Sequence, residues 1–264
     1  MAEPALASPP RRRPSLLVPI LGLLALAMIG GWAWREQAST MPTHSISSDQ
    51  AELQSRRVEV VLDDVQATWA RLVRAEDLGR YALADHFFFV RATPSACAGR
   101  DGATGPFYCP KDRMLAFDLR FFAALTDQLR EIEDPGIKLL VAQQAAAALQ
   151  DQLGILREVE AKSAVAGSRQ RQAMDLAVAL QADCLAGVWA ADAQDRLGPV
   201  RPGLYSDMLQ GSRRVAEAQA EWGHGAPWMR NSLGIGLLPD REAAFARGYG
   251  AGSLGACLAE DPAR

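Results

Sequence analysis

The sequence predicts a helix-rich α+β domain with a small antiparallel sheet, preceded by one transmembrane helix. Three observations carry this expectation. Two short runs rich in aromatic or β-favouring residues, "HFFFVRA" (86–92) and "RMLAFDL" (113–119), lie close together near the start of the body. Alanine-rich segments of helical periodicity fill most of the chain after Asp118. An uncharged run from Leu16 to Trp34, "LLVPILGLLALAMIGGWAW", precedes both.

That run holds 19 residues, which at 1.5 Å per residue span roughly 28 Å, about the hydrocarbon thickness of a bilayer. Arg11, Arg12 and Arg13 stand before it, and Trp32 and Trp34 close its far end. Basic residues stay on the cytoplasmic side and tryptophans favour the interface. The expected organisation is a disordered cytoplasmic tail (1–14), a transmembrane helix (15–34), a polar linker (35–50) and an exported domain (51–264). A cleaved signal peptide is the rival reading, but the run is longer than an ordinary apolar signal region and no clear small-x-small site follows it. The location implied is the bacterial inner membrane, with a single pass and the body in the periplasm. Ala27 and Gly31 form a small-xxx-small pair, a weak signal for helix contact in a membrane.

Within the body, "VEVVLDDVQATWARLVRAE" places Val58, Val61, Val65, Trp69, Leu72 and Val73 on one helical face. The turn-rich "GRDGATGPFYCP" (99–110) separates the two predicted strands. Helices are expected at about 119–132, 137–153, 155–165 and 169–197, with more beyond Pro202. The glycine-rich "GYGAGS" (248–253) has no preceding strand, no lysine and no dinucleotide-binding spacing, so it reads as a bend before Cys257.

With 264 residues the chain can hold one domain of about 200 residues and a substantial core. A net charge of −3 and a pI near 5.7 supply no chain-wide attraction for nucleic acid. Protein or peptide partners fit better. Cys97, Cys109, Cys184 and Cys257 form an even set, which suits pairing in an oxidising compartment. Four cysteines allow three connectivities, and four buried thiols are the alternative. No two lie at the two-to-four-residue spacing of a thiolate zinc pair.

The helix "GIKLLVAQQAAAALQDQLGI" (136–155) carries two glutamines and a block of alanines where a working face would have reactive groups. By itself it reads as sound helix with solvated amides. Its neighbours alter that reading. "SAC" (95–97), "GPFYCP" (105–110), "LQADCLAGVWA" (180–190) and "FARGYGAGSLGAC" (245–257), in this order around "VAQQAAAALQDQLGI", resemble the neutral zinc metallopeptidase family of bacteria, from about residue 56 to 258. The resemblance implies a zincin-like metallopeptidase-type domain behind a membrane anchor.

In that family the matching helix carries H-E-x-x-H, which holds Zn²⁺ between two histidines one turn apart and uses the glutamate to activate the bound water. By resemblance Gln143 stands at the first histidine, Gln144 at the glutamate and Ala147 at the second histidine. Ala179 stands at the third ligand, a glutamate. An amide is no general base near neutral pH and a methyl group ligates nothing. Asp183 remains, either to orient a ligand histidine that is gone or as a structural carboxylate bridging helices. Ile235 stands where the family has a histidine suited to oxyanion stabilisation. No catalytic or metal-ligating residue is therefore assigned, and zinc, expected in the family, is not expected here. The same phrases imply disulfides Cys97–Cys109 and Cys184–Cys257.

Relocation of the zinc site finds no support, since His44 lies in the linker and His86 and His224 have no histidine or carboxylate partner at i+3 or i+4. His86 reads as packed at a strand end. The sequence thus implies an inactive peptidase-like protein, a pseudopeptidase, that binds a protein or peptide. The alternatives are a structural single-pass subunit of a membrane complex and an active peptidase with unrecognised ligands.

Overall fold

The computed structural model describes residues 46–98, 102–197, 200, 202–221 and 232–263. The run from Leu16 to Trp34, His44 and His224 lie outside these residues.

Helix α1 (Ser48–Ala75) begins inside the segment read as linker. Its start is a capping box: the Ser47 hydroxyl accepts from the Gln50 backbone N–H at 3.2 Å, and the Gln50 side chain accepts from Ser47 N–H at 3.1 Å. The expected stripe of Val58, Val61, Val65, Trp69, Leu72 and Val73 is buried, with Leu62 added to it.

Three strands follow: β1 (Asp85–Phe89), β2 (Phe107–Cys109) and β3 (Met114–Asp118), in the order β1-β3-β2. The sheet is mixed, which corrects the antiparallel expectation. β3 pairs antiparallel with β2 (Phe107↔Ala116) and parallel with β1 (His86↔Leu115). Strand β2 lies in the segment read as turn, and it makes the difference. It runs back to the starting end of the sheet and turns tightly into β3, so that β3 lies antiparallel to β2 and parallel to β1. The connection from β1 to β2 is fastened by the Cys97–Cys109 disulfide and by a bridge between Thr93 and Ala103. His86 is packed on β1, edge-on to Phe88 with ring centres 5.5 Å apart.

The remaining elements are helical: α2 (Leu119–Leu129), α3 (Glu133–Gln152), α4 (Ile155–Ser163), α5 (Ser168–Leu197), α6 (Tyr205–Glu221), α7 (Leu238–Ala251) and a short α8 (Gly255–Leu258). Asp118 joins strand to helix. Its buried carboxylate caps α2 through Arg120 N–H at 3.0 Å, and it also accepts from Gly105 N–H and the Gln219 amide, both at 3.3 Å.

Helix α3 runs through the core, with Leu139, Leu140, Val141, Ala142, Ala145, Ala146, Ala148 and Leu149 all fully buried. A helix apolar on most sides belongs inside a fold. Helix α5 is long and apolar enough to cross a membrane by length and composition, but 67% of its most apolar window is buried within the fold. It acts as a core helix.

The tightest packing joins α5 to α7. A Cβ on Gly187 would collide with the Phe245 carbonyl, and one on Gly248 with the Cys184 carbonyl. "GYGAGS" is accordingly not a simple bend: Gly248 to Ala251 are helical, and the turn comes at Gly252, a left-handed cap with φ 61°. Near this contact the Cys184–Cys257 disulfide ties α5 to α8.

Gly187→Ala and Gly248→Ala should each lose about 1–3 kcal/mol or more through overpacking. Gly250→Ala, whose Cβ would meet nothing within 4 Å, should be neutral or slightly stabilising, because alanine is the better helix former. Urea unfolding midpoints of the three variants measure this contrast.

Candidate functional site

The i, i+4 spacing puts Gln143 and Ala147 on one face of α3, with Gln144 beside them. Opposite, α5 presents Asp175, Val178, Ala179 and Ala182 at the same helical spacing. A cavity of about 300 Å³ lies between these faces. Helix α4 supplies a third wall with Leu156 and Val159, and the turn after β2 contributes Pro110 and Lys111 beside Cys97. Lys111 and Glu160 are exposed at its mouth.

Four positions singled out in the sequence, Gln143, Gln144, Ala147 and Ala179, therefore meet at one cavity. The two glutamines are almost fully buried. Gln144 donates its amide to the Gln143 carbonyl oxygen. This leaves the Gln143 NH₂ and the Gln144 oxygen without a partner among the described residues. Gln150, two turns along α3 and fully buried, donates to the Val178 carbonyl at 3.0 Å and the Gln181 oxygen at 2.8 Å. Its own side-chain oxygen has no donor among the described residues.

This donor set does not fit zinc. Divalent zinc sites use thiolate, imidazole and carboxylate, whereas the cavity faces of α3 and α5 carry neutral amides and apolar groups apart from the single carboxylate of Asp175. Among the described residues no group of three or more His, Cys, Asp or Glu could hold a metal ion. The acidic residues near the cavity are Glu160 and Asp175. Burial raises the Asp175 carboxyl above the ordinary carboxylate range, with Arg171 partly opposing it.

Asp183 and Ile235 do not line the cavity. Asp183 is fully buried on α5 and bridges helices, as the structural reading expects: Tyr205 of α6 donates its hydroxyl to it, and Arg241 of α7 donates from two nitrogens, Nη2 at 2.7 Å. Burial works against the Arg241 charge, but the Asp183 carboxylate outweighs it and holds the guanidinium protonated. Burial first, and then Asp183, push the Tyr205 phenol well up. Arg241 Nη1 also donates to the Ser232 and Ile235 carbonyls, each at 2.9 Å. Arg213 donates to the carbonyls of Leu233 (2.7 Å), Ile235 (3.1 Å) and Gly236 (3.0 Å). Two arginines thus fix the 232–236 segment, whose Ser232 lines the cavity. Ile235 contributes its backbone to this clamp.

Sequence reasoning missed Gln150, Arg241 and Tyr205. Arg241 had a readable signal, since Arg241, Ala244, Phe245 and Gly248 fall at i, i+3, i+4 and i+7 and all are buried. An arginine on such a stripe needs a buried acid, and Asp183 is that acid.

A family model described as "Putative neutral zinc metallopeptidase" matches residues 16–259. The chain belongs to this family. Among curated relatives, the protein YpfJ of Escherichia coli (strain K12) is 24% identical over 96% of this chain and 90% of its own. The protein Rv2575 of Mycobacterium tuberculosis (strain ATCC 25618 / H37Rv) is 33% identical over 51% of this chain and 43% of its own. No solved structure matches the chain. In this member of the neutral zinc metallopeptidase family, a half-open cavity lies between α3 and α5, with Gln143, Gln144, Ala147 and Ala179 on its walls.

Two outcomes follow from the electrostatics. Asp183→Asn should destabilise the fold by about 3–5 kcal/mol, because it leaves the Arg241 charge buried without its partner; chemical denaturation reads this directly. Asp175 has a raised folded pKa, so its ionisation opposes folding once the pH exceeds the unfolded value near 3.8. Asp175→Asn should raise the melting temperature at pH 7, and the gain should vanish as the pH falls below about 4. A pH series of thermal melts tests the sign.

Proposed function

We propose that this protein is a catalytically inactive member of its family that binds a protein or peptide segment in the cavity between α3 and α5. The observation that carries the reading is chemical: a well-formed cavity is lined by Gln143, Gln144, Ala147 and Ala179, and none of these side chains can ligate zinc or activate water. By resemblance these are the positions of two histidines, the general base and the glutamate ligand. The cavity's size is at the lower end of the range for ligand sites, and its mostly apolar walls with a few convergent polar groups suit binding. The anchor reading of Leu16–Trp34 sets the body on the outer face of a bacterial inner membrane. Two disulfides fit an oxidising compartment.

The purified full-length chain should carry well under one zinc per molecule by elemental analysis and show no chelator-sensitive peptidase activity. The combined variant Gln143→His, Gln144→Glu, Ala147→His, Ala179→Glu should gain zinc binding at micromolar affinity or tighter, about −8 kcal/mol. It should remain a poor peptidase, because ligands alone supply neither a tuned surrounding shell nor an oxyanion donor at Ile235. Stoichiometric zinc with chelator-reversible proteolysis in the natural chain would overturn the reading.

A further inference from the structure

We propose that the free edge of β1 pairs with β1 of a second copy of this chain, antiparallel across a twofold axis, and joins the two sheets into one. The proposal is independent of the cavity, which β1 does not line.

In the order β1-β3-β2, β1 is a sheet edge. Each residue from Asp85 to Phe89 has its partner on β3, and no backbone hydrogen bond reaches this strand from another described segment. An edge strand leaves a row of N–H and C=O groups unpaired on its outer side, and proteins ordinarily blunt such an edge with lysine, proline or a bulge. This edge is not blunted. It reads His86, Phe87, Phe88, Phe89, Val90, without lysine or proline; the first four are half-buried, and the flanking Leu83 and Val90 are 69% and 42% exposed. An aromatic strand on an open edge is a template for a further strand.

The charges at its ends choose that strand. Asp85 stands at the start of β1 and Arg91 just past its end, both exposed, and neither side chain has an ion pair among the described residues. A twofold axis at Phe88 sets Asp85 against Arg91 at both ends, Phe87 against Phe89, and Val90 against the His86 of the second copy. Parallel pairing in register would instead stack Asp85 on Asp85 and Arg91 on Arg91. The backbone of Arg91 is left-handed, with φ 81°, so pairing stops at Val90 and the long Arg91 side chain closes the end. The opposite edge of the sheet has other duties, because β2 runs into Pro110 and Lys111 at the cavity.

Sedimentation velocity of the full-length chain in a mild detergent, over a series of concentrations, reads the association. The natural chain should show a reversible monomer–dimer equilibrium in the micromolar range, as a small interface gives. Asp85→Arg or Arg91→Asp alone should weaken the dimer about tenfold or more, since symmetry repeats each contact and one substitution sets like charges together at both ends. The double variant restores both pairs in swapped order and should recover the natural affinity to within about threefold. Val90→Lys, which places a charge on the edge, should also weaken association. Intact disulfides and an unchanged circular dichroism spectrum identify folded variants, and aspartate is at home in left-handed backbone. A dimer that none of these changes weakens is held elsewhere, for example through the Leu16–Trp34 run, and overturns the proposal. Single variants that the double reversal does not rescue overturn it as well. So does a natural chain that stays monomeric, which would leave the edge to a strand of another protein or to lipid.

Discussion

The close approach of α5 and α7 is the constraint on which the other arrangements depend. Gly187 and Gly248 let the two backbones touch, and no side chain larger than hydrogen fits at either position without moving a helix. Once the helices are that close, Asp183 reaches Arg241 across the contact, and Tyr205 closes the group from α6. Arg241 then extends to the carbonyls of Ser232 and Ile235. A small steric fact therefore propagates outward. Glycine permits contact, contact permits a buried ion pair, and the ion pair positions a segment on the cavity wall. A buried pair is weak evidence for net stability but strong evidence for a specified geometry here, because removing either partner leaves an unpaired charge or carboxylate in the core.

Helix α3 shows why alanine serves two purposes. On its inner sides Ala142, Ala145, Ala146 and Ala148 are fully buried and bring neighbouring helices close. On its remaining face Ala147 is half-buried and leaves open space opposite Ala179. One residue type packs the core where neighbours press in and makes a cavity where they stand off. Gln143 and Gln144 lie at that boundary, buried from bulk solvent yet facing the cavity.

Much of this was legible in the sequence. Helical periodicity located α2 to α5 within a few residues and the C-terminal end of α1, because long amphipathic or alanine-rich segments carry a strong signal. The capping box of Ser47 and Gln50 was also present in the letters, but linker-like composition around it hid the first turns of α1. Strand β2 was not readable, since three residues between glycine, proline and a disulfide have no periodicity to detect. By carrying the chain back, β2 lets β3 run parallel to β1 and makes the sheet mixed. The meeting of Gln143, Gln144, Ala147 and Ala179 was legible only through family resemblance, because spacing within one helix says nothing about which other helix faces it. The structure supplied what neither route carried: Asp183 and Ile235 lie off the cavity, joined by Arg241.

The separation between scaffold and cavity bears on how a family member could lose its metal and keep its shape. In many small metalloproteins the metal's binding free energy is folding free energy, so ligand loss unfolds the chain. Here cohesion comes from elsewhere. The Cys184–Cys257 bridge closes a loop of 73 residues, worth about 4 kcal/mol in the chain-entropy model, and the Asp183 group and glycine contact bind α5 to α7 outside the cavity. Methyl groups at Ala147 and Ala179 also remove the cost of holding unpaired imidazole or carboxylate in a half-closed space. The amides of Gln143 and Gln144 offer hydrogen bonds without charge or the ligand strength of imidazole and carboxylate. Gln143, Gln144, Ala147 and Ala179 carry no charge and join no ion pair between helices, whereas Asp183 is tied to Arg241 and Tyr205.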